Sequence, residues 1–267
     1  MIPHMKATHV LLTASAILNL GAGVSTSLAE DAKFNLVLDE DFDAPELNTA
    51  IWNIETMKRG DAKNSPQSVD IIDGILTLTT FTNESGQMYS GFVTTRKRLL
   101  VSQGKIEARV RFSPQPGTQC AIWANSAGMG NATANDPDSV NRDGVEIDIM
   151  ESHGKMAGGY QYATHWGGYE KAQRSHGLKF PAKVGDTWHV YGCEWDSTGY
   201  RFLFDGKVVA TENQCPPTSA PLYLIISMEA KRTNGWAGEI PKEGYGSKET
   251  SKNKLEVDWV KVWERAK

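Results

Sequence analysis

The segment Asp143-Gly144-Val145-Glu146-Ile147-Asp148-Ile149-Met150-Glu151-Ser152-His153-Gly154 sets three carboxylates into a strongly β-prone apolar run. Side chains alternate faces along an extended strand, so Glu146 and Asp148 share one face while Ile147 and Ile149 share the other. A regular strand would turn Glu151 to the apolar face, because it lies an odd number of residues from Asp148. One β-bulge at Ile149-Met150 absorbs the extra residue and returns Glu151 to the acidic face. The segment therefore predicts a row of three acids on one side of a sheet.

Clustered carboxylates raise one another's pKa values, which keeps one protonated beside an ionised neighbour. Retaining glycoside hydrolysis needs that arrangement, with a carboxylate nucleophile and a carboxylic acid roughly 5–5.5 Å apart. A calcium cluster or a solvated strand face also gathers acids. A bare Glu-x-Asp-x-x-Glu leaves all three readings open.

Residues 1–29 read as an export signal. Lys6 supplies positive charge, Val10 to Leu20 is largely apolar, and Ser27-Leu28-Ala29 is a small-x-small cleavage site. The apolar part is too short to span a bilayer, and nothing later approaches a span. The remainder of the chain, residues 30–267, carries no repeat or long linker and is long enough for one domain with a sizeable core. The formal net charge of −4 becomes −5 once the leader takes its single lysine away. That mild acidity argues against nucleic acid or an anionic membrane surface as partner. Three cysteines, Cys120, Cys193 and Cys215, cannot all pair within one chain. Cys120 and Cys193 fall in apolar strand patterns and read as small core residues. Cys193 and Cys215 are the candidate pair for a bridge.

Short β-like runs recur between Gly, Pro, Asn and Asp, from Ile71-Ile72 and Ile75–Phe81 through Ile106–Phe112, Ala121–Ala124, Tyr160–His165 and Trp188–Glu194 to Leu222–Met228 and Leu255–Trp263. The run Ile106 to Phe112 alternates apolar and charged residues as a half-buried strand should. Tyr200 to Val209 is a hairpin turned by Asp205-Gly206. With hardly any helical periodicity, the pattern predicts an all-β sandwich or barrel.

The flanks of the acidic strand extend the reading. Glu146-Ile147-Asp148-Ile149-Met150-Glu151 resembles the bulged active-site signature of glycoside hydrolase family 16, as carried by its laminarinases, agarases and carrageenases. Leu38-Asp39-Glu40-Asp41-Phe42-Asp43, Gly104-Lys105-Ile106-Glu107-Ala108-Arg109, Trp188-His189-Val190-Tyr191, Phe204-Asp205-Gly206-Lys207 and Val257-Asp258-Trp259-Val260-Lys261-Val262-Trp263 resemble family landmarks in the family's order. The resemblance implies a β-jelly-roll sandwich of two curved antiparallel sheets, the concanavalin A-like lectin/glucanase fold, with a substrate cleft on the concave face. It implies Glu146 as nucleophile, Glu151 as acid/base, and Asp148 as the residue that holds the nucleophile by a hydrogen bond.

Sugar rings present apolar faces and hydroxyl edges, so such a cleft needs aromatic platforms beside hydrogen-bonding groups. Trp123, His165, Trp166 and Trp236 are the candidates by position, with His153 as a hydrogen-bond partner of Glu151. Asp41, Gly74 and Asp258 correspond to positions where many family members hold a structural calcium ion, away from the chemistry; catalysis itself requires no cofactor. The implied protein is a secreted or periplasmic monomeric endo-β-glycanase acting on β-1,3- or mixed β-1,3/1,4-glucan. A galactan hydrolase, a transglycosylase and a non-catalytic lectin-like domain are the alternatives. Ser152-His153 after the acid/base and Ile226-Ser227-Met228-Glu229 in the late strand depart from the usual laminarinase pattern.

Overall fold

The computed structural model describes residues 34–131, 139–169, 173–231 and 235–266. The expected export signal, residues 1–29, and residues 132–138 of the polar stretch between Gly128 and Asp143 lie outside these described residues. In chain order the strands are β1 (Phe34–Glu40), β2 (Asn53–Ile54), β3 (Lys58–Arg59), β4 (Ala62–Asn64), β5 (Val69–Ile72), β6 (Ile75–Thr79), β7 (Phe81–Thr82), β8 (Met88–Ser90), β9 (Phe92–Thr94) and β10 (Gly104–Ser113). They continue with β11 (Thr118–Ser126), β12 (Glu146–His153), β13 (Tyr160–Trp166), β14 (Arg174–Phe180), β15 (His189–Asp196), β16 (Gly199–Phe204), β17 (Lys207–Glu212), β18 (Leu222–Ala230) and β19 (Lys254–Arg265). A short α-helix, α1 (Ser139–Asp143), stands before the acidic strand.

Two antiparallel sheets form the jelly-roll sandwich. The outer sheet runs β17-β16-β15-β10-β19-β6-β5, with β1 also paired to β19; the cleft sheet runs β14-β13-β12-β11-β18-β9-β2. A small third sheet, β3-β4-β8-β7, contains a parallel β4–β8 pair.

Strand β10 shows why the sequence folds this way. Ile106, Ala108, Val110 and Phe112 are buried, while Lys105, Glu107, Arg109 and Arg111 alternate outward. Each large apolar side chain so buried contributes about 1.5–3 kcal/mol. The outward charges pair across the sheet, Arg109 with Asp258 at 2.5 Å and Arg111 with Glu256 at 2.7 Å. In β11 the same alternation puts Cys120, Ile122 and Ala124 in the core and leaves Gln119, Ala121, Trp123 and Asn125 for the opposite face. Aromatic pairs bridge the two sheets. Tyr162 stacks on Phe202 with ring centroids 4.0 Å apart, and Tyr160 meets Tyr191 edge-on at 5.0 Å.

Two sequence expectations change here. No Cys193–Cys215 bridge forms; all three thiols are free and buried, and burial pushes each well above its ordinary pKa. Strand β14, which the sequence pattern leaves unassigned, edges the cleft sheet. Its residues are mostly exposed on both faces, so it shows no alternation to detect.

Candidate active site

Strand β12 carries the acids, and its register shows the bulge. Against β11, Trp123 faces Asp148 and Ile122 faces Met150, which leaves Ile149 without a partner. Against β13, Asp148 faces Ala163 and Glu151 faces Gln161, so three steps on β12 match two on β13. The slip falls at Ile149-Met150. Both of those side chains enter the core, at 2% and 0% exposure, and Glu146, Asp148 and Glu151 share the other face. Cross-strand rows then define the floor of a cleft. One runs Asn125–Glu146–His165, the next Trp123–Asp148–Ala163, and the third Ala121–Glu151–Gln161–Lys179.

Each acid has its own surroundings. The Tyr169 phenol donates to Glu146 Oε2, and the Asn125 amide donates to the same oxygen at 3.1 Å. Burial, followed by the nearby Asp148 charge, pushes the Glu146 carboxyl up to about 7. Glu151 receives the Gln119 amide on one oxygen and the Gln161 amide on the other. Burial, then Asp148, pushes it up to about 8. A side-chain amide can present either end, so a glutamine serves both states of an acid/base, donating to the carboxylate and accepting from the carboxylic acid. Asp148 lies on the same face as Glu146 and engages His165. Its Oδ2 accepts from His165 Nε2 at 3.1 Å.

Burial acts to lower the His165 pKa, but the hydrogen bond and charge of Asp148, helped by the two glutamates, outweigh it and raise it to about 9. His165 is therefore an imidazolium at neutral pH and balances part of the acidic row. Glu146, Asp148 and His165 place ligand-type atoms within 4.8 Å of one another. His165 pairs with Asp148 at 3.1 Å within this trio, so we read it as a charge-balanced set.

The other candidates fall in distinct places. Trp123 lies on the cleft face, packs edge-on against Phe92, and donates its Nε1 to Ser227 at 3.0 Å. Trp236 lines the cleft beside Glu151 and leans on His153, with ring centroids 4.2 Å apart. His153 engages the Lys155 amide through Nδ1 at 3.3 Å rather than Glu151, and its buried Nε2 has no partner among the described residues. Burial with the Lys179 and Lys155 charges holds that ring down at about 4, so it stays neutral. Trp166 is the exception to the expected lining. It alternates away from His165 and packs against the core.

Two chambers open from the acid row. One, of about 390 Å³ on the Glu146 side, is lined by Glu55, Arg96, Phe92, Trp123, Tyr169 and Tyr223. The other, of about 490 Å³ and reaching Glu151, is lined by Gln161, His165, His176, Lys179, Lys231 and Trp236. Where they meet, Arg59 pairs with Glu229 at 2.9 Å and lies over the Phe92 and Trp123 rings.

Sequence reasoning missed Asn125, Gln119 and Gln161, although all follow from extending the period of two through β11 and β13. It also missed Arg59 and Tyr169, which come from a short strand and a loop and left no periodic signal.

The expected calcium residues Asp41, Gly74 and Asp258 have these surroundings. Strand β19 pairs β6 up to Val257 and β1 from Val260, so Asp258 sits at the junction of the two neighbours. Its carboxylate is engaged by Arg109. A side chain starting on Gly74 would meet Asp43 Oδ1 at 3.3 Å, and Asp41 Oδ1 accepts the Asp43 N–H at 3.2 Å. Carboxylates of this kind suit a hard cation.

Comparison with known proteins agrees with this architecture. A glucan endo-1,3-beta-glucosidase A1 from Niallia circulans is 25% identical over 280 residues, covering 87% of this chain and 38% of its own length. This chain therefore spans well under half of that relative. Among solved structures, one from work on endo-acting O-glycanases of the human gut microbiota that initiate mucin breakdown superposes with a TM-score of 0.70 at 21% identity, over 88% of this chain and 92% of the other. The laminarinase catalytic domain of Thermotoga maritima MSB8 gives 0.67 at 20% identity, over 88% and 100%. Because the family profile for glycosyl hydrolases family 16 matches residues 56–261, a span that contains the bulged acidic strand and most of both sheets, this chain belongs to that family.

Proposed function

We propose that this chain is an exported, endo-acting, retaining β-glycanase that cleaves β-1,3- or mixed β-1,3/1,4-linked glucan. The observation that carries the reading is the acid row lying between two open chambers, which lets a polymer run past the carboxylates on both sides. Glu146 attacks the anomeric carbon while Glu151 gives its proton to the departing oxygen. Glu151 then takes a proton from water, and that water displaces Glu146. Asp148 and His165 balance the charge of the row. Trp123 and Trp236 offer apolar faces to the sugar on either side.

The deciding experiment is a reducing-sugar assay over laminarin, lichenan, agarose, carrageenan and xyloglucan with linkage analysis of the products. Release of oligosaccharides from laminarin or lichenan supports the reading, and activity confined to the other polymers overturns the substrate. Lys179 and Lys231 on the wall of the larger chamber favour a galactan with acidic substituents as the second reading.

The pH profile derives from the site. Glu146 must be ionised and Glu151 protonated in the free enzyme, so kcat/KM rises as pH passes about 7 and falls as it passes about 8. The expected optimum is therefore near neutrality, and a single acidic optimum near pH 4–5 would contradict the assignment. Stability carries the opposite sign. Both acids bind their protons more tightly when folded, so their contribution is complete below the ordinary carboxylate range and is lost as pH rises through about 7 and 8.

A calcium ion at the junction of β1, β6 and β19 is proposed as purely structural. Chelation should then lower the melting temperature while initial rates stay nearly intact, because ligand binding to the folded state alone raises stability. Equal melting temperatures in chelator and excess calcium would remove the ion from the account.

A further inference from the structure

We propose that Tyr169, seconded by Asn125, is the positioning residue of the nucleophile, holding Glu146 by Oε2 so that Oε1 is the atom that bonds the sugar. This inference rests on Glu146 being the nucleophile. It concerns a residue outside the acidic strand, beside the role the sequence expectation gives to Asp148.

The hydrogen bonds are asymmetric. Glu146 Oε2 accepts from the Tyr169 phenol and from Asn125 Nδ2, while Asn125 Nδ2 also donates to the phenol oxygen at 2.6 Å. Oε1 has no such partner among the described residues; His165 Nε2 lies 3.9 Å from it, beyond hydrogen-bond reach. Turning the Asn125 amide over would aim its carbonyl at the carboxylate, so the donors have one workable orientation. That orientation leaves Asn125 Oδ1 buried without a partner, an arrangement a purely structural asparagine would not favour. The phenol itself is half-exposed and lines the Glu146-side chamber, and burial, then the Glu146 charge and the hydrogen bond to it, raise its pKa. It stays protonated and keeps donating.

The consequence is a division between the two half-reactions. In the first, the Oε1 lone pair forms the bond to the anomeric carbon, the bond to the leaving oxygen breaks, and the Glu151 proton goes to that oxygen. Oε2 is then the carbonyl oxygen of a glycosyl ester, with Tyr169 and Asn125 donating to it as donors do to a developing oxyanion. In the second, water attacks the anomeric carbon, its proton passes to Glu151, and the electron pair of the breaking bond returns to Glu146. The returning charge spreads onto Oε2, where the two donors stabilise it. Loss of the phenol should therefore slow the second step more than the first.

It should also move the ionisation of the free enzyme. Among the described residues, the titratable and charged groups around Glu146 are Asp148 and Glu151 on its own strand, His165 on β13, Arg59 on β3, the Tyr169 and Tyr223 phenols, and Glu55 and Arg96 on the wall of the same chamber. Asp148 favours the protonated acid, whereas Tyr169, His165 and Arg59 favour the carboxylate.

The test is Tyr169→Phe, which removes one hydroxyl from a half-exposed ring and is checked for an unchanged melting temperature. On an aryl β-glycoside with a good leaving group, kcat should fall roughly tenfold and KM with it, kcat/KM should change little at the optimum, and a pre-steady-state burst should appear. The acidic limb of kcat/KM should move up by about one pH unit. Asn125→Ser should show the same pattern, weaker. Failure of either the burst or the limb shift in folded Tyr169→Phe overturns the proposal, whatever the change in overall rate. A 2-deoxy-2-fluoro aryl glycoside applied to the wild type separates this from the parent reading. Covalent label on Glu146 upholds the nucleophile whatever Tyr169 does, and no label there removes both.

Discussion

Glu146→Gln is expected to give a folded protein whose turnover of polysaccharide falls on the order of 10⁴-fold or more, since an amide cannot attack the anomeric carbon. The loss should lie in kcat rather than in folding. The substitution removes a charge that burial and Asp148 already disfavour, and Oε2 alone carries the Tyr169 and Asn125 bonds, so an amide oxygen can take its place. Glu146→Ala should recover partly in azide, because the vacated space admits a small anion from the nucleophile's side. Its product should be a glycosyl azide of inverted configuration. Near-normal turnover by Glu146→Gln would move this chain to the lectin-like reading, in which the fold binds glycans without cutting them.

Glu151→Ala is the second large effect, and its pattern differs. The acid assists departure in proportion to how poor the leaving group is, so natural polysaccharide should slow roughly 10²–10⁴-fold. An aryl glycoside with a good leaving group should still form the covalent intermediate, after which deglycosylation limits the rate. Azide should then accelerate turnover and give a product of retained configuration. Matching stereochemistry and matching leaving-group dependence for the Glu146 and Glu151 variants would undo the division of labour. The bulge would lose its meaning as well, because only the extra residue brings Glu151 to the cleft side.

The features that are readable in the chain share one physical cause. Where one face of a strand is buried, the period of two is enforced by the cost of exposing the wrong residue, and the bulge at Ile149-Met150 shows as a break in that period. The same rule makes β10 legible and places Trp123 and His165 on the cleft side. It also predicts against Trp166, whose position next to His165 puts it on the core face; the resemblance suggests an aromatic there and the alternation overrules it. Strand β14 left no trace because an edge strand exposed on both faces imposes no pattern. Tyr169 reaches Glu146 from a loop, and nothing in local sequence reports such a long-range contact. His153 lies two residues beyond Glu151, yet it turns to Trp236 and the Lys155 amide, because nearness along a strand does not decide which neighbour a ring meets.

The central claim is double displacement by Glu146 and Glu151, and the anomeric configuration of the first product tests it most directly. Proton NMR of a short β-linked glucan oligosaccharide, taken in the first minutes of hydrolysis before mutarotation, should show the new reducing end as the β-anomer. An α-anomer as the first product would mean a single inverting displacement and would contradict the account.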